Sequence, residues 1–277
     1  MSAPQLPYFD FLFSELAKRN SAIEKSFGRH VHWGYWSDPT VAVCDDEDYA
    51  LAAERLTLEL CRMADVANGQ HVLDVGCGFG GTVASLNERF NGLQLIGLNI
   101  DERQLMRARE LVKPLSDNTV EFRQGDACAL PFPDASFDRV LAVECVFHFP
   151  SRDAFFREAH RVLRPGGMLV LSDFVPVAPF VPLSWLSTTR RFEKYNPFGS
   201  CNVQYSVGRY RRLAARSGFG AMVERNVTAQ TLPTYRYLEQ ILATKADAHW
   251  LEPYLLGMLR SLAASGLLKY QLLSFRK

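Results

Sequence analysis

The segment "HVLDVGCGFGGT", residues 71–82, contains the residue types that could most directly hold a ligand. Gly76, Gly78 and Gly81 follow a short apolar run with the G-x-G-x-x-G spacing of loops that bind nucleotides. Such loops need glycine because the backbone turns tightly there and approaches the ligand closely at the N-terminus of a helix. The segment therefore predicts a nucleotide-binding turn between a strand and a helix.

The charge of Asp74 indicates which kind of nucleotide this turn would bind. Asp74 lies two residues before Gly76, where its carboxylate would meet the ligand. A diphosphate group at about 4 Å would cost on the order of 4 kcal/mol at an effective dielectric constant near 20. A nucleotide that carries an ammonium group and a sulfonium group would instead gain from the same carboxylate.

A dinucleotide such as NAD is the competing interpretation of the glycine pattern. It is suggested by Asp101, which follows the glycines at about the distance of the ribose-binding acid in NAD folds, roughly twenty residues. In the sequence "DERQ", however, Asp101 and Gln104 have the spacing of a helix-capping box. Asp74 and Asp101 together favour the cationic nucleotide, and an NAD-dependent oxidoreductase is kept as an alternative function.

The elements that must position this turn alternate along the chain. From residue 70 to about residue 175, short apolar runs alternate with segments of helical periodicity. Strands that alternate with helices predict a parallel sheet with helices on both faces. The runs are apolar throughout, as burial on both faces requires. We therefore expect an α/β fold with a doubly wound, mostly parallel sheet.

The flanking regions suggest a division of the chain into four parts. Helical periodicity at residues 8–27 and 46–67 predicts an N-terminal helical segment over residues 1–67, ahead of a cofactor-binding core at residues 68–175. Prolines and aromatic residues then interrupt the rhythm, which predicts an inserted helical cap at residues 176–206. Residues 207–277 would complete the sheet through a helix at 206–217, a strand at 219–228, a helical region at 234–264 and a final strand.

Composition excludes several classes of function. The 277 residues carry a net charge of +1, so no overall field would attract nucleic acid or an anionic membrane. There is no basic stripe and no N-P-P-Y-type tetrapeptide of base-flipping enzymes. The apolar stretch at residues 174–186 is too short to span a bilayer and contains three prolines. We expect no nucleic-acid partner and no stable membrane insertion.

The cysteines and histidines predict neither a disulfide framework nor a metal site. None of the six cysteines forms a C-x-x-C pair, and several lie in apolar runs, as buried free thiols do. His30 and His32 would share a face of an extended segment, but no third ligand lies near them in sequence. The first residues lack the basic and then apolar pattern of a secretion signal. We expect a cytoplasmic protein that acts on small molecules, and the sequence leaves a homo-oligomer open.

Four segments in order, "VLDVGCGFGG", "GLNID", "GDACALPFPDASFD" and "LRPGG", resemble the successive motifs of class I S-adenosylmethionine-dependent methyltransferases. The resemblance covers roughly residues 65–175. The segment "HVHWGYW", residues 30–36, resembles the lead-in of a small-molecule subgroup. That subgroup includes natural-product sugar O-methyltransferases, tocopherol methyltransferases and cyclopropane fatty acid synthases. The resemblance implies a Rossmann-like, seven-stranded methyltransferase fold, an N-terminal lid over the cofactor, and S-adenosyl-L-methionine as that cofactor.

The resemblance also implies a set of cofactor-binding residues. Glycines 76, 78 and 80 would lie beneath the methionine part, Asn99 and Ile100 at the ribose and adenine, and Asp126 and Ala127 at the edge of the adenine. Asn99 replaces the acid that is commoner in the family, so it would bond the ribose hydroxyls without charge assistance. The complete expected set is Trp36, Asp74, Gly76, Cys77, Gly78, Asn99, Ile100, Gln104, Asp126, Ala127 and Glu144.

Three residues are expected to be catalytic. His148 follows the predicted fourth strand and would act as general base for the proton of an acceptor hydroxyl. Asp173 ends the next strand and would orient His148 or hold the substrate. Glu144 would, in an alternative C-methylation, stabilise a carbocation together with aromatic faces. The aromatic and apolar residues within 176–206 and 233–262 predict an apolar or aromatic acceptor pocket.

Overall fold

The computed structural model describes residues 6–181, 198–199, 201–244 and 251–277. The strands of this part are β1 (His71–Val75), β2 (Gln94–Asn99), β3 (Thr119–Gln124), β4 (Phe137–Ala142), β5 (Leu163–Pro176), β6 (Met222–Asn226) and β7 (Leu268–Arg276). They form one sheet in the order β3-β2-β1-β4-β5-β7-β6. The first five run parallel, and β7 is antiparallel to β5 and β6. This architecture confirms the predicted seven-stranded, mostly parallel α/β fold.

Helices cover both faces of the sheet. Within the described residues they are α1 (Pro7–Ala17), α2 (Ser21–Phe27), α3 (Asp46–Met63), α4 (Gly81–Arg89), α5 (Glu102–Leu111), α6 (Arg152–Val162), α7 (Val207–Arg216), α8 (Thr228–Thr231), α9 (Pro233–Thr244) and α10 (Leu251–Ala264). None of these helices combines the length and the apolar character needed to cross a lipid bilayer.

Several boundaries differ from those expected from the sequence. The helical stretch at 8–27 is two helices, because Arg19 adopts a positive φ of 57° and the side chain of Asn20 caps α2 at the amides of Ala22 and Ile23. The strand expected at 219–228 is limited to β6, which ends where Asn226 bonds the amide of Thr228. Residues 182–197 and 200, most of the expected cap, lie outside the described residues, as do residues 245–250 between α9 and α10.

The central strands are buried on both faces of the sheet. Val72 and Leu73 of β1 point to opposite faces, yet both are almost fully buried. Val72 packs with residues of α3, α4 and α5, whereas Leu73 packs with residues of α6 and α7. The uninterrupted apolar runs in the sequence follow from this double coverage.

The order of the strands reverses between β1 and β4. From β1 the chain proceeds outward through β2 and β3, and then returns to place β4 on the other side of β1. In such sheets a crevice opens beyond the carboxyl ends of the two strands at the reversal, and ligands bind in it. The loop that follows β1 and the residues that follow β4 therefore lie at the same edge.

The N-terminal helices pack against the loop that follows β1. The rings of Phe9 and Phe13 on α1 lie 5.6 and 5.5 Å from the ring of Phe79. Arg103 on α5 pairs with Asp10 on α1 at 2.8 Å. These contacts hold α1 over the crevice, although its sequence contains no part of the glycine motif.

Two features of Gly76 disfavour any other residue: its positive φ and the close approach of Cys145. Comparison with Gly69, which has only the first feature, isolates the effect of the second. Gly76 has a φ of +72°, and a Cβ there would lie 2.6 Å from Cβ of Cys145. Gly69 has a φ of +78° but nothing within 4 Å of the same position. We expect Gly69→Ala to lower the free energy of unfolding by roughly 1–2 kcal/mol, the cost of the left-handed backbone. Gly76→Ala should cost about 1–3 kcal/mol more because of overpacking.

Chemical denaturation of the wild-type protein and the two variants measures this difference. Equal losses for Gly69→Ala and Gly76→Ala would show that contact with Cys145 does not constrain the turn.

Candidate functional site

Two cavities meet at the carboxyl edge of the sheet. The first has a volume of about 640 Å³ and extends from the loop after β1 to the ends of β2 and β4. The second, about 270 Å³, lies beneath α1, α9 and α10. Five residues line both cavities: Tyr8, Val31, His32, Glu144 and His148. Two of the three expected catalytic residues, Glu144 and His148, thus lie where the cavities join.

The glycine loop presents bare backbone to the first cavity. Gly76, Gly78 and Gly80 all have positive φ, which only glycine adopts without strain. Nothing lies within 4 Å of the position that a Cβ of Gly78 would take, so the loop is open at that point. Helix α4 begins at Gly81, immediately after the loop. A ligand in this cavity therefore contacts main chain and a helix N-terminus.

Asp74 is the buried acid of the first cavity. It is the fourth residue of β1, is 2 % exposed, and its Oδ2 has no hydrogen-bond partner among the described residues. Burial raises its pKa to about 8. A buried carboxyl with an unused oxygen in a cavity wall suits a cationic group, and the binding of one by Asp74 stays a prediction.

The end of β2 carries a small polar network. The side-chain amide of Asn99 donates to Gln104 Oε1 at 2.9 Å, and Asn99 Oδ1 accepts the amide of Asp101 at 3.1 Å. Asp101 accepts the amide of Arg103 and so caps α5, as expected. Asn99, Ile100 and Gln104 all line the first cavity. The network fixes the amide groups that a ribose would meet.

The far wall of the first cavity is formed by the turn after β3. Asp126 and Ala127 line it, as expected for the residues at the edge of the adenine. Asp126 Oδ1 also accepts the amide of Cys128 at 2.8 Å, so the same carboxylate stabilises its own turn.

Glu144 is held by donors from two distant parts of the chain. Its Oε1 accepts the backbone amide of Trp33 at 2.9 Å and the hydroxyl of Tyr270. Its own amide donates to Ser172 Oγ at 3.0 Å, and its φ of +49° is rare for a residue other than glycine. Burial raises the pKa of Glu144 to about 8 despite the two donors. Strain of this kind is typical of functional positions.

His148 ends a short 3₁₀ turn after β4, at the wall shared by the two cavities. Its ring stacks on Tyr8, with centroids 6.2 Å apart and an interplanar angle of 21°, and meets Phe147 edge-on at 4.5 Å. Cys201 Sγ lies 3.9 Å from Nδ1. The imidazole is therefore oriented by α1 on one side and by residue 201 on the other.

Two of the expected site residues lie elsewhere. Asp173 lines neither cavity: it is fully buried, pairs with Arg152 at 2.9 Å and accepts the hydroxyl of Tyr210. Its hydrogen bonds do not reach His148, so we correct its expected role from catalytic to structural. Trp36 also lies outside both cavities, because its indole N–H donates to Asp48 at 2.8 Å. We therefore do not retain Trp36 as a cofactor-binding residue.

Sequence reasoning missed the contribution of Tyr8. The helical periodicity of residues 8–27 indicated a helix, but periodicity does not say which residue faces a cavity formed by strands much later in the chain. The spacing of His30 and His32 also does not indicate which side chains they bond. His30 bonds Glu54 at 2.7 Å, and His32 bonds His30 at 3.1 Å and the carbonyl oxygen of Trp33 at 2.9 Å.

The ring nitrogens of this histidine pair are thus engaged within the protein. Burial lowers the pKa of His32 to about 3, so it stays neutral. In the described ranges, no group of three or more side chains is arranged to hold a metal ion.

Comparison with known proteins identifies the chemistry of this site. Residues 73–171 match a family described as a methyltransferase domain. The chain is 35% identical over 216 residues to methyltransferase GfsG of Streptomyces halstedii. The matched residues make up 78% of this chain and 74% of that protein. The chain belongs to the family of S-adenosylmethionine-dependent methyltransferases.

Other relatives of this methyltransferase include enzymes of different specificity. It is 39% identical to 27-O-demethylrifamycin SV methyltransferase of Amycolatopsis mediterranei, over 56% of this chain and 55% of that protein. It is 36% identical to a sterol 24-C-methyltransferase of Eremothecium gossypii, over 47% of this chain and 35% of that one. The chain thus spans between a third and three quarters of the length of these relatives.

Among solved structures, geranyl diphosphate C-methyltransferase from Streptomyces coelicolor has the same fold. The TM-score is 0.70 at 19% identity, and the match covers 99% of each chain. That protein was crystallised with S-adenosyl-L-homocysteine, Mg²⁺ and geranyl diphosphate. The likeness at this identity concerns the fold alone.

The described residues fit S-adenosyl-L-methionine, the cofactor of the family. The unpartnered Oδ2 of Asp74 suits its ammonium group, and the open backbone at Gly78 suits close approach of the amino-acid tail. Asn99 and Gln104 offer polar atoms for ribose hydroxyls. A diphosphate beside Asp74 would meet repulsion instead, in agreement with the charge argument from the sequence.

The role of Asp74 can be tested with a pair of ligands. We expect Asp74→Asn to weaken binding of S-adenosylhomocysteine by about ten- to a hundredfold, because a charge-assisted hydrogen bond to the ammonium is lost. Methylthioadenosine lacks the α-amino group, so its affinity should stay within about twofold by the same argument. Isothermal titration calorimetry with both ligands measures this. Equal losses for the two ligands would place Asp74 elsewhere than at the amino group.

Asp74 should also make the unliganded protein less stable as the pH rises. Its folded-state pKa of about 8 exceeds its ordinary value of 3.8, so between these values the folded state binds a proton that the unfolded chain releases. Stability therefore falls with pH across this window. Asp74→Asn lacks this effect, and its stability advantage over wild type should grow by roughly 1.4 kcal/mol per pH unit between about pH 5 and 7.5. Denaturation at several pH values checks this, and a pH-independent difference would contradict it.

Proposed function

We propose that this methyltransferase methylates an oxygen of a small, largely apolar or aromatic natural product, with His148 as general base. The observation that carries the proposal is the shared wall of the two cavities. The first cavity fits the cofactor, and Glu144 and His148 face both it and the second cavity. An acceptor in the second cavity would therefore meet the methyl group beside these two side chains.

The walls of the second cavity support an apolar acceptor. Leu238, Ile241 and Leu242 of α9 line it at the spacing of one helical face, and Leu256 and Leu259 of α10 face them. Aromatic residues surround the end near Glu144: Tyr8, Trp33, Phe147, Phe174 and Tyr235. An acceptor with a ring near the site of transfer and an aliphatic part farther away fits this arrangement.

The bound cofactor supplies a methyl group already activated by the positive charge on sulfur. The protein therefore needs mainly to position the acceptor, and orientation of this kind is worth roughly 7–11 kcal/mol of the barrier. The rings of Tyr8 and Phe147 pack on His148 and so limit its orientations at the junction of the cavities.

The acceptor proton must leave if the attacking atom is a hydroxyl oxygen. Burial raises the pKa of the Cys201 thiol to about 12, so its sulfur stays protonated and neutral. In the tautomer whose Nδ1–H points at Cys201 Sγ, His148 Nε2 carries the lone pair that accepts a proton. A base of this type contributes about a hundredfold or more.

The relatives support a natural-product acceptor. The names of GfsG and of 27-O-demethylrifamycin SV methyltransferase describe methyl transfer, in the second case to an oxygen. These two proteins are at least 35% identical to this chain over more than half of its length.

A second candidate is methylation of an olefinic or electron-rich carbon. The ring of Trp33 lies 4.3 Å from Tyr235 and 5.0 Å from Phe174, and its backbone bonds the buried Glu144. Aromatic faces beside a carboxylate stabilise a carbocation. The sterol 24-C-methyltransferase relative, by its name, transfers methyl to carbon.

The general-base role of His148 can be measured directly. We expect His148→Ala to reduce turnover by about a hundredfold or more, with little change in affinity for S-adenosylhomocysteine. The matched control is His160→Ala, because His160 packs on Phe219 and lines neither cavity. Its turnover should remain near that of the wild type. Full activity of His148→Ala would remove His148 from the mechanism.

The structure of the product identifies the atom that accepts the methyl group. Incubation with cofactor labelled in the methyl group, together with polyketide-like, phenolic and prenylated acceptors, locates the label by NMR. Label on oxygen supports the proposal. Label on carbon would replace it with the second candidate.

A further inference from the structure

The hydroxyl of Tyr270 is joined to the site through the side chain of Glu144. Tyr270 belongs to β7, the last strand of the chain, and its hydroxyl donates to Oε1 of Glu144. Tyr270 itself lines neither cavity and is 2 % exposed. Its ring is fixed between Trp33, at 6.3 Å, and Phe174, at 5.0 Å. Trp33 and Phe174 also line the second cavity, so the ring of Tyr270 supports that wall, whereas its hydroxyl reaches the site through Glu144.

The two oxygens of Glu144 are in different situations. Oε1 accepts both the Tyr270 hydroxyl and the Trp33 amide. Within the described part of the chain, no hydrogen bond reaches Oε2. Because Glu144 lines both cavities, Oε2 is the oxygen left for a donor group of a ligand.

We propose that Tyr270 is a positioning residue for methyl transfer: it fixes Glu144 Oε1 so that a charged carboxylate presents Oε2 to the acceptor. The inference rests on the proposed function and extends it, since Oε2 would orient the acceptor by accepting a hydrogen bond from a second donor group of the acceptor, while the proton of the reacting hydroxyl is left to His148. The carboxylate accepts in this contact, so the acceptor must carry a second donor group near the reacting hydroxyl. The contact forms where Glu144 is ionised, at pH values near and above its pKa of about 8.

The Tyr270 hydroxyl affects the pKa of Glu144 in a direction that follows from its hydrogen bond to the carboxyl group. A donor to an ionised carboxyl favours the charged form and lowers its pKa. Burial raises the pKa of Tyr270 itself well above its ordinary value, so the hydroxyl remains a donor throughout the neutral range. Loss of this hydroxyl should raise the pKa of Glu144 beyond its present value of about 8.

Other groups face Glu144 from the surrounding elements, and their charges bear on this argument. They are Tyr8 on α1, His32 in the N-terminal segment, Tyr49 on α3, His148 after β4, Asp173 on β5 and Tyr235 on α9. Burial raises the pKa of the three tyrosines, which stay neutral. Asp173, which is paired with Arg152, acts in the direction that raises the pKa of Glu144.

The experiment compares Tyr270→Phe with a matched control, Tyr237→Phe. Tyr237 is also a buried tyrosine whose hydroxyl donates to a carboxylate, Asp46, at 2.9 Å, but it lines neither cavity. Both substitutions remove one oxygen and keep the ring. Carbon-13 NMR of protein labelled at glutamate side-chain carboxyls follows the titration of Glu144 without any ligand, and its signal is the one absent from Glu144→Gln.

We expect the Glu144 titration to move up by about one pH unit or more in Tyr270→Phe and to stay in place in Tyr237→Phe. The acid limb of the pH profile of methyl transfer should move with it, which lowers turnover below the midpoint by about tenfold per unit. A titration unmoved in Tyr270→Phe overturns the proposal. So does an equal loss of turnover at every pH, because a purely structural role would produce it.

This test separates the inference from the proposed function. The NMR titration is measured on unliganded protein and decides the link between Tyr270 and Glu144 whichever atom is methylated. Label found on carbon in the product would overturn O-methylation, whereas an unmoved titration would overturn only the role of Tyr270.

Discussion

The site depends on the burial of two carboxyl groups, those of Asp74 and Glu144, where the order of the strands reverses. An ionised carboxyl without compensating partners costs several kcal/mol to bury. In the unliganded protein both groups respond by a raised pKa, to about 8 in each case. A cationic ligand removes this cost at Asp74, so that binding and proton release are coupled. We therefore propose that the cofactor relieves an unfavourable arrangement that the fold holds.

The two carboxyl groups differ in how much of this cost the protein itself offsets. Asp74 keeps an oxygen without a partner among the described residues, whereas Glu144 receives donors from Trp33 and Tyr270. One acid is therefore left to the cofactor, and the other is oriented in advance between the two cavities. The positive φ of Glu144 agrees with this view, because neighbouring structure must over-determine a strained residue.

The segment that leads from α2 to α3 connects the parts of the site. The successive amides of residues 33–36 donate to Glu144, to Thr234 on α9, to Ala52 on α3 and to Gln230 on α8. The backbone of the segment at residues 30–36 therefore ties α3, α8 and α9 to Glu144. The side chain of Trp36 bonds Asp48 and packs away from both cavities. Of the residues in this segment, Trp33 reaches the site with both its ring, which lines the second cavity, and its amide, which bonds Glu144.

The sequence by itself determined the fold class, the cofactor and the residues at the ends of β1 and β2 that line the first cavity, because those features depend on local patterns. The short sequence motifs at the ends of β1 and β2 contain Asp74, Gly76, Gly78 and Asn99. Only the tertiary structure decided the roles of Tyr8, Asp173 and Tyr270. These residues come from distant segments, and a hydrogen bond such as that of Asp173 to Tyr210, or of Tyr270 to Glu144, leaves no periodic trace in the chain. Packing of separate elements, and not spacing along the sequence, sets which side chains meet.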